Sequence, residues 1–524
     1  MHSDHLPDSD HDAFPPDPQA EAFRGQDNPF DPAFEENPEG TRGGSTGLFA
    51  MTVLAWIVIL GWTIFVFSLT NLAPKEQNPK ASQKVVDLPT RILQIQGKYL
   101  VATKSIVPTG FEEQVENDIE ANLSTLNTGT VNQRLRFIVL SGELQGPQEA
   151  MTTLQDLEAR LSRNQDVEVT EEQQQLLATL QLLYQDYLQE KWNAPQLSKK
   201  QRQRLTQDLG WFGDLALAPV DGENMSLRAK VLMEARQVFG VIILGVGGLF
   251  LLGGIGVIAL IVLGILSLRG TQLAKVFPKS PPGGIYAETF ALWLTIFLIA
   301  NLSAGWLGIA RLGMWVQGVI MIGSMSALVW PCIRGLSWKQ VRQDMGLQFG
   351  KSPVLTLLGG PGCYSISLPI LGIGILITLQ LAQWSAGMQP VKQPGDNFSP
   401  VQGPSHPIVL QFDNITTLGF LQVFFLAAIA APITEEIMFR GVLYRHLREA
   451  FAPLATGIGI FLSVMISSLI FASVHPQGWI AIPALSGLAI GFALTREMTD
   501  SIIPSMIAHA IHNGMLTLVM LIIF

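Results

Sequence analysis

Residues 433–441 read ITEEIMFRG and sit in a run that is otherwise apolar from Phe424 onward. A charged side chain near a bilayer centre costs roughly 2.5–3.5 kcal/mol, so such groups persist where they are paired, solvated or used. On a helix Glu436 and Arg440, four positions apart, share one face and form an ion pair. Glu435 points about 100° away and needs another role. Two neighbouring carboxylates in a poorly solvated site disfavour joint ionisation, which poises one of them as a general base. One glutamate therefore reads as a brace and the other as reactive.

Two further polar intrusions follow. LIFASVHPQG ends an apolar helix with His475, one turn after Phe471, and PSMIAHAIHNG places His509 and Asn513 on one helical face with His512 to the side. A lone histidine on such a helix is more often a packed core residue than a reactive one. Three intrusions on three different spans, all near the C-terminus, instead argue for one shared site. Glu435 and His475 are each 20 residues from Ala455, inside the Pro- and Gly-bearing turn AFAPLATGIG, so an antiparallel hairpin sets them at similar heights. Straight helices leave His509 out of level, and a kink at Pro432 or Pro504, or a longer turn region, is needed to close the gap.

The order TEEIMFRG, FASVH, HAIHN resembles the three signature motifs of the CPBP family, the type II CAAX prenyl endopeptidases and their bacterial relatives, which include bacteriocin-immunity and lysostaphin-resistance-type proteins. The likeness covers about residues 415–520. It implies an intramembrane endopeptidase in which Glu435 activates a water, His475 helps to hold it, and His509 and Asn513 donate hydrogen bonds to the oxyanion. Glu436 and Arg440 would brace the site. The family has also been called metalloproteases, and Glu435, His475 and His509 would be three ligands for zinc with water as the fourth. The HExxH helix of other zinc proteases is absent. Glutamate-driven water activation is therefore the leading expectation, with zinc left open and His512 assigned to packing.

These residues need a membrane bundle to position them. Of 524 residues 48% are hydrophobic and 14% charged, below the roughly 25% charged fraction of soluble proteins. Runs of about 20 apolar residues occur about nine times: Leu48–Ala73, Phe239–Leu268, Tyr286–Ala304, Leu312–Ile333, Val354–Leu381, Thr416–Gly441, Gly457–His475, Trp479–Thr495 and Ser501–Phe524. The fold class is all-α: a polytopic transmembrane helical bundle, a small extramembrane helical domain and a disordered N-terminal tail. Residues 1–47 form the acidic tail and 48–73 an anchor, since a cleavable signal would start nearer the N-terminus. Residues 74–238 are polar, with leucines at helical spacing in EEQQQLLATLQLLYQDYL, and form the extramembrane domain. Residues 239–524 hold eight spans and the protease-like core.

Gly240, Gly247 and Gly254 would form a close-packing seam on the second span. LSWKQVRQDMGLQFG reads equally as an interfacial amphipathic helix and as a connecting loop. Two cysteines, Cys332 and Cys363, exclude a disulfide framework, and a net charge of −9 leaves no nucleic-acid footprint. Lysine and arginine in the short loops, including Arg269, Arg334, Arg445, Arg448 and Arg496, place the N-terminus in the cytoplasm, most simply at the cell membrane. The partners expected are the lipid bilayer and a membrane-associated protein or peptide substrate. The competing classes are a non-catalytic immunity or scaffold protein and a proton-coupled transporter, the latter disfavoured by the lack of inverted repeats.

Overall fold

The computed structural model describes residues 42–72, 88–107, 110–164, 167–193, 195–274, 284–309, 313–350, 352–387 and 415–523. The acidic tail lies outside them up to residue 41. The chain divides into Met1–Leu48 and Phe49–Phe524. Every regular element among the described residues is helical. Among the described residues eight helices are long and apolar enough to cross a membrane, and the chain is a multi-pass membrane protein. The ninth expected span corresponds to α20 (Ile503–Ile523), a helix of 21 residues.

After α1 (Arg42–Leu72) come α2 (Leu88–Ile106), α3 (Glu112–Ser124), α4 (Val131–Gln145), α5 (Pro147–Arg163), α6 (Glu171–Leu188), α7 (Lys199–Leu209) and α8 (Trp211–Ala216). Capping boxes open three of them, Thr130 with Gln133, Thr170 with Gln173, and Ser198 with Gln201. Each satisfies two otherwise orphaned N–H groups, and losing the cap costs about 1 kcal/mol. Leu135, Leu140, Leu154, Leu180 and Leu183 close their core. Val231 and Ala235 of α9 (Met225–Leu268) are buried in the same core. That 44-residue helix is about 66 Å long, twice a hydrocarbon core of about 30 Å. It thus joins the α2–α8 core to the apolar bundle without a break, where the sequence suggested a boundary near residue 238.

The bundle continues with α10 (Ile285–Trp306), then α11 (Met314–Ser324) running through a 3₁₀ turn into α12 (Val329–Ile333), the short α13 (Trp338–Asp344), and α14 (Pro353–Gly387). α14 passes unbroken through Pro361 and Pro369. The expected glycine seam is not where the described helices meet: none of the described residues lies near Gly240, Gly247 or Gly254. Gly256 is the contact instead, because any side chain there would collide with the Ser365 carbonyl of α14, and Gly360 of α14 likewise makes room for Ile507. The stretch after the fourth span turns inward. Leu336, Val341 and Met345 are buried, and Asp344 accepts a hydrogen bond from the Tyr286 hydroxyl at 2.7 Å.

α1 is more than an anchor. The Trp62 indole donates to Thr295 Oγ1 at 2.9 Å, and Asn71 Oδ1 accepts from the Trp479 N–H at 2.9 Å.

Candidate active site

The site-bearing segment is α15 (Thr417–Phe425), a π-helical stretch Leu426–Ala430, α16 (Ala431–Glu435), a second π stretch Glu436–Leu443 and α17 (Tyr444–Ala450). It pairs through a short turn with α18 (Thr456–Ser473), and α19 (Ile482–Thr499) leads into α20. Pro432 explains part of the irregularity. The Ala431 N–H donates to the Leu426 carbonyl, five residues back, so the Ala427 carbonyl loses its α-helical donor. The donor five residues after Ala427 is position 432, a proline with no N–H. Asn513 fills the vacancy: its Nδ2 donates to the Ala427 oxygen at 2.7 Å. A π turn is thereby locked to α20 at the position of the third motif, and π turns often sit at functional sites.

Glu436 is the hub of the buried side. Its Oε1 lies 3.0 Å from an Arg440 terminal nitrogen and 3.0 Å from His509 Nδ1. All three residues are at most 4% exposed. Arg440 also donates to the Ala489 carbonyl at 3.3 Å, and its guanidinium lies between two rings, 4.6 Å from the centre of Phe471 and 5.3 Å from that of Phe492. Such a sandwich satisfies a cation without water. The i,i+4 pairing expected for a helix therefore holds in a π segment.

Glu435 faces the other way, and its Oε2 is shielded from solvent without accepting a hydrogen bond from any of the described residues. His475 Nε2 is 3.7 Å and His509 Nε2 3.9 Å from that oxygen. The other nitrogen of each ring is already committed: His475 Nδ1 donates to the Phe471 carbonyl at 2.6 Å, and His509 Nδ1 donates to Glu436. Both Nε2 atoms are thus turned to Glu435. A neutral His475 presents a lone pair to a carboxylate lone pair, which calls for a donor between them. Separations beyond about 3.5 Å leave room for one bridging water.

The same three donors are chemically suited to zinc. Metal–ligand bonds of about 2.0–2.1 Å require tetrahedral edges of about 3.3 Å, shorter than the gaps here. Among the described residues no group of three or more His, Cys, Asp or Glu side chains is gathered as a metal-holding set. Glu435, His475 and His509 would be the residues that hold a zinc ion, and the proposed mechanism places no step on one.

His512 faces α14, its Nδ1 3.3 Å from the Tyr364 hydroxyl. Sequence reasoning missed four contributors: Phe492, the Ala427 carbonyl, Tyr364, and Trp56 of α1, whose indole donates to His446 Nε2 at 3.1 Å on the site-bearing segment. The signal available for the carbonyl was Pro432 five residues on. The aromatic residues had none, being apolar residues in apolar runs. A second polar layer ties α17 to α19, with the Tyr444 hydroxyl and Arg448 both on Glu497, at 2.8 and 2.9 Å. Arg445 and Arg496, counted above for orientation, are also buried.

Residues 417–515 match the family model described as Type II CAAX prenyl endopeptidase Rce1-like. No curated protein and no solved structure matches the chain. The matched segment is under a fifth of the 524 residues, yet it includes Glu435, Glu436, Arg440, His475, His509 and Asn513. This segment, which spans α15 to most of α20, is similar to the Rce1-like type II CAAX prenyl endopeptidases, a family of proteases.

Proposed function

We propose that the protein is an intramembrane endopeptidase that cleaves a membrane-associated protein or peptide with a water activated by Glu435 and His475. The observation that carries this reading is the bare Glu435 Oε2, shielded from solvent and faced by two imidazole Nε2 atoms. A water there donates one hydrogen to Glu435 and the other to His475. As its oxygen attacks the scissile carbonyl, Glu435 takes the proton and later delivers it to the departing amine. The oxyanion is held by His509 Nε2–H and by the second amide hydrogen of Asn513, the first being used on Ala427. With Nδ1 on Glu436, a second proton on Nε2 makes the His509 ring a double donor.

We place α2–α8 in water, for its surface bears many of the chain's charges, and the N-terminus in the cytoplasm of a cell-membrane protein. The substrate class is a membrane-associated tail, of which a CAAX-type prenylated segment is the kind the family's description names. The test compares new protein termini in membranes holding wild-type or Glu435→Gln protein. Termini present only with the wild type support the proposal. Identical profiles from two equally expressed proteins refute it and leave a binding or scaffold role.

A further inference from the structure

A cavity of about 530 Å³ lies among α3, α4, α6 and the turn after α8, far in sequence from residues 417–515. That volume is within the roughly 300–1,000 Å³ of ligand sites. Tyr184, Tyr187 and Trp192 line it, with Tyr187 and Trp192 ring centres 5.1 Å apart and the Tyr184 ring edge-on to Tyr187 at 6.0 Å. Tyr187 is satisfied, its hydroxyl donating to the Ala216 carbonyl at 2.9 Å. Tyr184 is not. Its side chain is only 4% exposed and its hydroxyl has no hydrogen-bond partner among the described residues. Gly142 is what lets that hydroxyl lie against α4, since a Cβ there would sit 2.7 Å from it. Burial holds the Tyr184 phenol well above its usual range, so it remains an O–H group at neutral pH.

The charges at the cavity are unbalanced. Lys104 donates to the Leu144 carbonyl at 2.6 Å, and Glu143 is bound by Arg228 through two contacts of 2.6 and 2.8 Å. Glu116, Glu120 and Asp221 are exposed at the rim and form no ion pair among the described residues. A cation is the complement of this site. Aromatic faces attract it, the rim carboxylates neutralise it and the Tyr184 oxygen can accept from it.

We propose that this cavity binds a lysine or arginine side chain presented by a basic segment of another polypeptide. The apolar stem lies along Tyr187 and Trp192 while the charged head meets the acidic rim. The site is independent of the proteolytic reading.

The test measures fluorescence anisotropy of a labelled alternating Gly-Arg peptide with the full-length protein in zwitterionic nanodiscs, beside its Gly-Glu counterpart. The Gly-Arg peptide binds and the Gly-Glu peptide does not. The triple variant Glu116→Gln, Glu120→Gln, Asp221→Asn changes only exposed groups and weakens binding roughly tenfold. Trp192→Ala weakens it roughly threefold or more. Tyr184→Phe, which removes one oxygen, weakens it as well. An Arg peptide that fails to bind, or that binds the wild type and the triple variant equally, overturns the proposal.

Discussion

Asn513→Leu keeps the side-chain volume and removes the donor to Ala427. In the wild type the carbonyl then has neither its α-helical donor, diverted to Leu426, nor a donor from Pro432. An unpaired, poorly solvated acceptor costs about 1–3 kcal/mol. In a Pro432→Ala background the new N–H at 432 reaches the same carbonyl by continuing the i→i−5 pattern, so Asn513→Leu should cost little there. Reversible unfolding in mixed micelles gives the four free energies of the cycle. The account requires a coupling of about 1 kcal/mol or more between positions 432 and 513, well beyond the 0.3–0.5 kcal/mol scatter of independent sites. Equal costs of Asn513→Leu in both backgrounds would refute the explanation of this π turn.

Three other outcomes follow from the packing and the charges. Arg440→Met leaves the Glu436 carboxylate short of a cation and lowers stability by about 3–5 kcal/mol, whereas Glu436→Gln with Arg440→Met loses much less, as the same unfolding assay will show. Gly256→Val separates α9 from α14 and lowers the melting temperature, while Gly247→Val, where none of the described residues lies near, leaves it within error. The mechanism proposed above uses no metal and so predicts that proteolysis survives exhaustive chelation; loss of activity restored by zinc alone contradicts it.

Spans could be read from the sequence because lipid demands long apolar runs, and the site because Glu435, His475 and His509 are the costly exceptions within such runs. The Glu435–His475 hairpin about Ala455 followed from counting residues. The way His509 reaches Glu436 did not. A π turn changes the hydrogen-bond register without changing composition, and Pro432 marks where a donor is missing, not which side chain replaces it. The glycine seam failed for a related reason. A seven-residue repeat shows that one face is small, but only the neighbouring helix decides which small face is used, and α14 meets Gly256. Arginine counting reads surface charge, yet Arg445 and Arg496 are buried in polar contacts, and Asp344 is within 3.7 Å of Arg445. Phe492 was invisible because a ring that flanks a guanidinium has no mark distinguishing it from a ring that packs on leucine.

The most direct measurement takes a peptide that wild-type membranes cleave and compares kcat and KM for purified wild-type and Glu435→Gln proteins that unfold at the same temperature. Removing the general base predicts a fall in kcat of roughly 10²- to 10⁴-fold with KM little changed. A kcat within a few-fold of wild type would mean that Glu435 does not take the water's proton.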